Sequence, residues 1–237
     1  MPEHFIGGHA ALDLSNAVYD RRNPPLHNEL FNSPRDIGTW LLAAGLADEQ
    51  EAVAVAEIRD RHFLHEVRDI RESSYALFDA IASNLEPPSQ PLGLLCSRAA
   101  NRLGAQQVAW DGTRLALASD QWEDPALVTA FLAFLSIEAF FTLPRARLRV
   151  CPRCGWLFVD ISRGGKRRWC NMRVCGNREK GSPPSGPSGI VRGKMTTHPA
   201  PWPHSSHIVG SGFKHHGASL CHRRARRELT IRLLQVC

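Results

Sequence analysis

Four cysteines within 25 residues constrain this chain more than any other feature: Cys151-Pro-Arg-Cys154, then Cys170-Asn-Met-Arg-Val-Cys175. Two residues separate the first pair, fifteen lie between the pairs, and four separate the second. Two close-set thiolate pairs joined by a loop of that length are what one tetrahedral, all-cysteine zinc site requires. Pro152 inside the first pair and Gly155 after it supply a knuckle's turn chemistry. A glycine there can take the positive φ that turns backbone N–H groups toward the sulfurs. The plainer reading, four unrelated core or redox cysteines, fits the spacing poorly. Disulfides fit less well, because Met1-Pro-Glu-His lacks the basic start and apolar run of an export signal. An iron centre would use similar ligands but usually sits in an apolar, often acidic shell. Here Arg163, Lys166, Arg167, Arg168, Arg173, Arg178 and Lys180 run between and after the pairs. The expected cofactor is therefore one structural Zn2+ on Cys151, Cys154, Cys170 and Cys175, and so cationic a module points to a polyanionic partner.

Charge is distributed unevenly along the 237 residues, and the overall value of +6 conceals this. Residues 1–144 carry 10 Lys+Arg against 20 Asp+Glu, residues 145–180 carry 11 against 2, and residues 181–237 carry 8 against 1. An acidic body thus bears a basic finger and a basic tail. Such asymmetry fits nucleic-acid binding confined to the finger, with the body repelled from phosphate. Cationic runs on most proteins are merely solvated, so charge alone carries little.

The pattern predicts an α+β chain: a mostly helical domain over 1–144 with a small β-hairpin, a zinc-ribbon-like four-cysteine finger over 145–180, and a disordered tail over 181–237. Phe5 to Val18 reads as short and β-like. Ser33-Pro34 reads as an N-cap with proline at the first helical position, and Gly45 supplies the stop. Asp48 is expected to cap a longer helix whose apolar stripe runs on through Phe63, Val67, Ile70, Leu77 and Ile81 and ends before Pro87-Pro88. A further helix is expected from Leu92 to Leu103. Asp111-Gly112 between alternating apolar residues signals a tight hairpin. Pro125 to Leu143 is nearly long enough for a membrane span, but Glu138 and three hydroxyl side chains interrupt it, so a buried central helix is expected. Glu138 would then pair with a body arginine such as Arg98 or Arg102, or sense a ligand. From Gly181 a Gly/Ser/Pro linker leads into a His- and Pro-rich segment. Its last part, from Cys221, either forms a small basic amphipathic helix or is an unstructured, even aberrant, extension.

The string from Cys151 to Lys180 closely resembles the CGNR zinc finger, a bacterial family named after the motif present here as Cys175-Gly176-Asn177-Arg178. Both cysteine pairs, Gly155-Trp156-Leu157-Phe158 and the Arg-Arg-Trp169-Cys170 approach carry the likeness. In that family the finger follows a helical ABATE domain, and Leu12-Asp13-Leu14-Ser15-Asn16 resembles that domain's opening segment. The tail departs from the pattern, in which a short basic helix follows the finger at once. The resemblance implies a DNA-binding, stress-induced regulator, and the expectation here is a cytoplasmic protein that is not an enzyme.

Within the finger, the metal is expected to substitute for a core that some thirty residues cannot build, contributing on the order of 10 kcal/mol. Trp156, Leu157, Phe158, Val159 and Trp169 would pack over the site, although either tryptophan could instead stack on an unpaired base. Arg163, Lys166, Arg167, Arg168, Arg173 and Lys180 are candidate phosphate contacts on double-stranded DNA. Arg178 suits bidentate guanine contact or a pairing with Asp160 or Glu179, and Asn177 suits adenine contact or a cap. The acidic body would sense an unidentified effector or form a homodimer. Two rivals remain: a finger that binds RNA or protein, and an enzyme using His4, His9, Asp13 or Glu138 in the body. Against the second, no nucleophile elbow, phosphate loop or catalytic metal motif is present, and four protein ligands leave zinc no open position.

Overall fold

A computed structural model describes residues 5–104, 108–110, 115–117 and 121–180, which all fall within one compact unit. Its centre is α6 (Pro125–Thr142), whose N-cap Asp124 accepts from the amides of Ala126 and Leu127. Most apolar side chains of α6 are buried, from Leu127 and Val128 to Ala139 and Phe140, whereas Phe134 and Ile137 are half-buried and Phe141 is exposed. The helix is long and apolar enough to cross a membrane by length and composition, yet 61% of that window is covered by the rest of the protein. It packs against α4 (Phe63–Ala82) and α5 (Ser89–Arg102). The hydroxyls of Ser74 and Ser136 meet at 2.6 Å where α4 and α6 touch, so each buried oxygen has a partner.

Capping explains the next pair. Ser33 and Asp36 form a reciprocal capping box with Pro34 at the start of α2 (Pro34–Ala43), and Gly45 at φ 65° follows its end. Asp48 and Glu51 repeat the device for α3 (Glu49–Ala56). Strands β1 (Val108–Trp110) and β2 (Leu115–Leu117) pair antiparallel with Trp110 opposite Leu115. The Asp111-Gly112 turn, His4 and the whole 181–237 segment lie outside the described residues.

Three expectations are corrected. Phe5 to Val18 is not β-like: it contains α1 (Ala10–Ser15), whose only ladder-like neighbour among the described residues is the isolated Val18–Glu29 bridge. Ala11, Leu12, Leu14 and Ser15 are all fully enclosed, and a short helix buried all round has no polar face to show its period. The helix opened by Asp48 does not run to Ile81. It stops at Ala56, and α4 begins at Phe63 after the Asp60 carboxylate has accepted from the His62 amide at 2.6 Å. An aspartate bonding its own local backbone offers the chain an alternative to the helical ladder. Finally, Glu138 pairs with His9 at 3.2 Å, while Arg98 is held by Glu66 and Arg102 by Asp124.

The finger begins with a 3-10 turn over Arg145–Arg147, then β3 (Leu148–Val150) and β4 (Leu157–Val159) as an antiparallel pair. All three β4 side chains are buried. Leu157 and Val159 join the core of the helical body, whereas Phe158, with Trp156 before the strand, faces the cysteines. The period-two alternation of a strand lets one segment serve two cores. Complete burial of Leu157 and Val159 is worth about 1.5–3 kcal/mol each, so the finger is anchored to the body by its own hairpin.

Candidate metal centre and its cationic surface

The first knuckle follows from its turn residues. The Cys151 amide donates to the Trp156 carbonyl at 2.8 Å, the Gly155 amide donates to the Cys151 carbonyl at 2.9 Å, and Gly155 sits at φ 75° as expected. The second pair has four intervening residues and needs a wider turn. A π-helical turn over Met172–Gly176 supplies it, begun by the Asn171 side chain, which accepts from the amides of Arg173 and Val174. A Cβ at Gly176 would meet the Met172 sulfur and the Trp169 ring, so a larger residue there would have to displace the Met172 side chain.

These turns bring the Sγ atoms of Cys151, Cys154, Cys170 and Cys175 within 4.8 Å of one another, all of them buried. Cys154 and Cys170 are 3.5 Å apart, and Cys170 and Cys175 are 3.6 Å apart. A tetrahedron with Zn–S bonds of about 2.3 Å has sulfur–sulfur edges of about 3.8 Å. Donor type, number and spacing therefore fit one structural zinc ion with no position left for a reactant. Without a cation the four sulfurs must share protons. Hydrogen bonds from Cys154 and Cys170 push the Cys151 thiol down, and the bond to Cys151 pushes Cys154 and Cys170 up. Metal binding replaces those protons, which makes it pH-linked.

A seam of polar contacts locks this centre to the N-terminal segment. Asn16, completely buried, donates from Nδ2 to the Leu157 carbonyl and accepts at Oδ1 from the Leu157 amide, both at 2.8 Å. The Trp156 indole donates to the Val18 carbonyl at 3.0 Å, and the Arg21 amide donates to the Cys154 carbonyl at 2.8 Å. From α4, the Tyr75 hydroxyl donates to the Gly155 carbonyl at 2.9 Å while the Arg21 guanidinium stacks on the Tyr75 ring at 3.7 Å. Upstream, the Val159 amide donates to the Gly7 carbonyl, and the Gly7 amide donates to Asp13 at 2.7 Å. Burial pushes the Asp13 carboxyl up to about 7, against the opposing effect of the Gly7 and Ile6 amides. The opening motif thus has a physical role that its residue types did not disclose: Asn16 joins the finger's backbone in the way a neighbouring strand would.

The basic residues separate by environment. Arg167 is structural: its guanidinium donates to the carbonyls of Trp169 and Cys170 and lies 4.7 Å from the centre of the Phe158 ring. Arg147 donates to the Ser162 carbonyl at 3.0 Å. Asp160, buried in the finger, accepts from the amides of Ser162 and Arg167, and its carboxyl is held below the usual range chiefly by the Ser162 side chain. Arg153 pairs with Glu179 at 3.5 Å. Arg163, Lys166, Arg168, Arg173, Arg178 and Lys180 are exposed, as is Asn177 at the start of α7 (Asn177–Lys180). Of the two tryptophans, Trp156 is 7% exposed, and Trp169 is half-buried beneath Arg168, whose guanidinium lies 5.0 Å from its ring.

Of the residues considered for catalysis, His9 and Glu138 come together, while Asp13 is turned to Gly7. The other His9 nitrogen accepts from the Ala11 amide and caps α1, and burial lowers the ring's basicity. The sequence did not single out Asn171, Tyr75 or Arg21, and it offered Asp160 only as a partner for Arg178. Tyr75 and Arg21 act through backbone groups that become neighbours only in the fold. Asn171 instead bonds amides two and three residues further on, and Asp160 bonds amides two and seven residues further on.

The ABATE family model, described as "putative stress-induced transcription regulator", matches residues 8–140, and the CGNR zinc finger model matches residues 147–182. No curated protein sequence matches the chain significantly. With more than half its length covered by the first model and its cysteine cluster inside the second, the chain belongs to the ABATE family and carries a CGNR zinc finger.

Proposed function

We propose that the protein is a cytoplasmic transcription regulator whose zinc-folded finger binds double-stranded DNA and whose acidic helical body senses an effector or dimerises. The observation that carries this reading is the set of six exposed cations on a metal-stapled lobe attached to an acidic body. Phosphate attracts the lobe and repels the rest, which orients the encounter. The seam supports a link between body and finger, because Asn16 and Arg21 bond to the backbone of Leu157 and Cys154 and Val18 accepts from the Trp156 indole. A single-stranded RNA reading would need an accessible aromatic face; Trp156 is enclosed with its indole N–H bonded to Val18, and the half-buried Trp169 is covered by the Arg168 guanidinium.

The test is competition among duplex DNA, structured RNA and heparin for the full chain, run beside chelated protein and Cys170→Ser. Duplex binding that disappears with the metal supports the reading. Preference for RNA, or equal binding with and without zinc, contradicts it.

A further inference from the structure

We infer that the phosphate backbone of the bound nucleic acid lies in the groove between β3 and the 162–168 loop, gripped by Arg149, Lys166 and Arg168, and not along α7; this rests on the DNA-binding reading above. The groove is bounded by Arg149, Val150, Pro152, Gly165, Lys166, Arg167 and Arg168, and encloses about 450 Å³. Most of its walls are cations and none is an acid. Arg149 donates to the carbonyls of Ala146 and Leu148, and Arg167 to those of Trp169 and Cys170. Neutral partners fix a guanidinium without cancelling its charge, so the field in the groove stays positive.

The second cationic cleft differs. Arg153 and Arg178 border it, but so does Asp20, and Arg153 is already paired with Glu179 on α7. A phosphate there meets two carboxylates along with the cations.

The loop that lines the groove is held by its own local bonds. Gly165 turns at φ 62°, where a Cβ would meet the Arg147 guanidinium at 2.8 Å. Asp160 holds both ends of the 162–167 loop through the Ser162 and Arg167 amides. Donors fixed before binding lose less entropy when a polyanion arrives. Arg149 was not among the residues expected from the sequence, since it lies before the first cysteine of the cluster; on β3 it is opposite Phe158.

Two variants remove equal charge: Arg149→Gln with Lys166→Gln and Arg168→Gln, and Arg173→Gln with Arg178→Gln and Lys180→Gln. Both are read by fluorescence anisotropy on a duplex of about 20 base pairs across a salt series, with zinc content measured on each. The groove variant should bind at least about tenfold more weakly. Its log–log salt slope should be shallower by about 2–3, near 0.9 for each phosphate no longer neutralised. The α7-side variant should change by less than about threefold. If the α7-side variant loses the affinity and the groove variant keeps it, or if both fall equally, the groove is refuted while DNA binding stands. If the unaltered protein binds no duplex at any salt, the functional reading itself fails. Should the triple groove variant lose zinc, Lys166→Glu and Arg168→Glu, both at exposed positions, decide the question by the same criterion.

Discussion

Asp13 shows how one enclosed residue links the opening segment to solution conditions. Its carboxyl accepts from the Gly7 amide, and Gly7 in turn accepts from the Val159 amide, so the residue helps hold the chain that flanks β4. Burial raises its folded-state value to about 7 from an ordinary 3.8. The sign follows directly. A raised folded value means that the native state holds the proton more tightly than the unfolded chain, so the contribution is complete below the ordinary value and is lost as pH rises through about 7. Asp13→Asn keeps the acceptor and removes the titration. Urea unfolding of the two proteins should show wild type losing ground to Asp13→Asn between pH 5 and pH 8. A constant difference across that range would mean that Asp13 is ionised throughout.

Among the elements, the β3–β4 hairpin does most to define the molecule, because β4 is shared between the zinc cluster and the helical core. Asn16 secures it by satisfying both backbone groups of Leu157. Asn16→Ala leaves that buried amide and carbonyl unpaired, at a cost of about 2–4 kcal/mol. The checks are the urea midpoint and the rate at which a colorimetric chelator removes zinc, and both should show a weaker protein. Faster metal loss is the readout specific to the seam, and an unchanged rate would separate Asn16 from the metal site. The capped elements were legible in the sequence because their signals are local: Ser33, Asp48 and the cysteine spacing act within a few residues of themselves. Glu138 with His9, Asn16 with Leu157 and Tyr75 with Gly155 were not, because each pairing spans a long stretch of chain and depends on how α1, α4 and α6 pack. The apparent continuity of α3 and α4 misled for a related reason. Hydrophobic spacing reports burial, and both helices have buried faces although the chain breaks between them.

At the scale of the whole molecule, an acidic helical body and a cationic finger share one seam, and the finger's second core is built around four sulfurs. Everything proposed for the cationic surface requires those sulfurs to grip a single ion, since the loop that carries Lys166 and Arg168 runs between the two pairs. The histidine-rich residues beyond 180 offer competing donors in the same chain. X-ray absorption at the zinc edge of the full-length protein distinguishes the two arrangements. Four sulfurs at about 2.3 Å and no nitrogen are predicted. A shell of fewer sulfurs completed by nitrogen at about 2.0–2.1 Å would contradict the all-sulfur centre and the finger built on it.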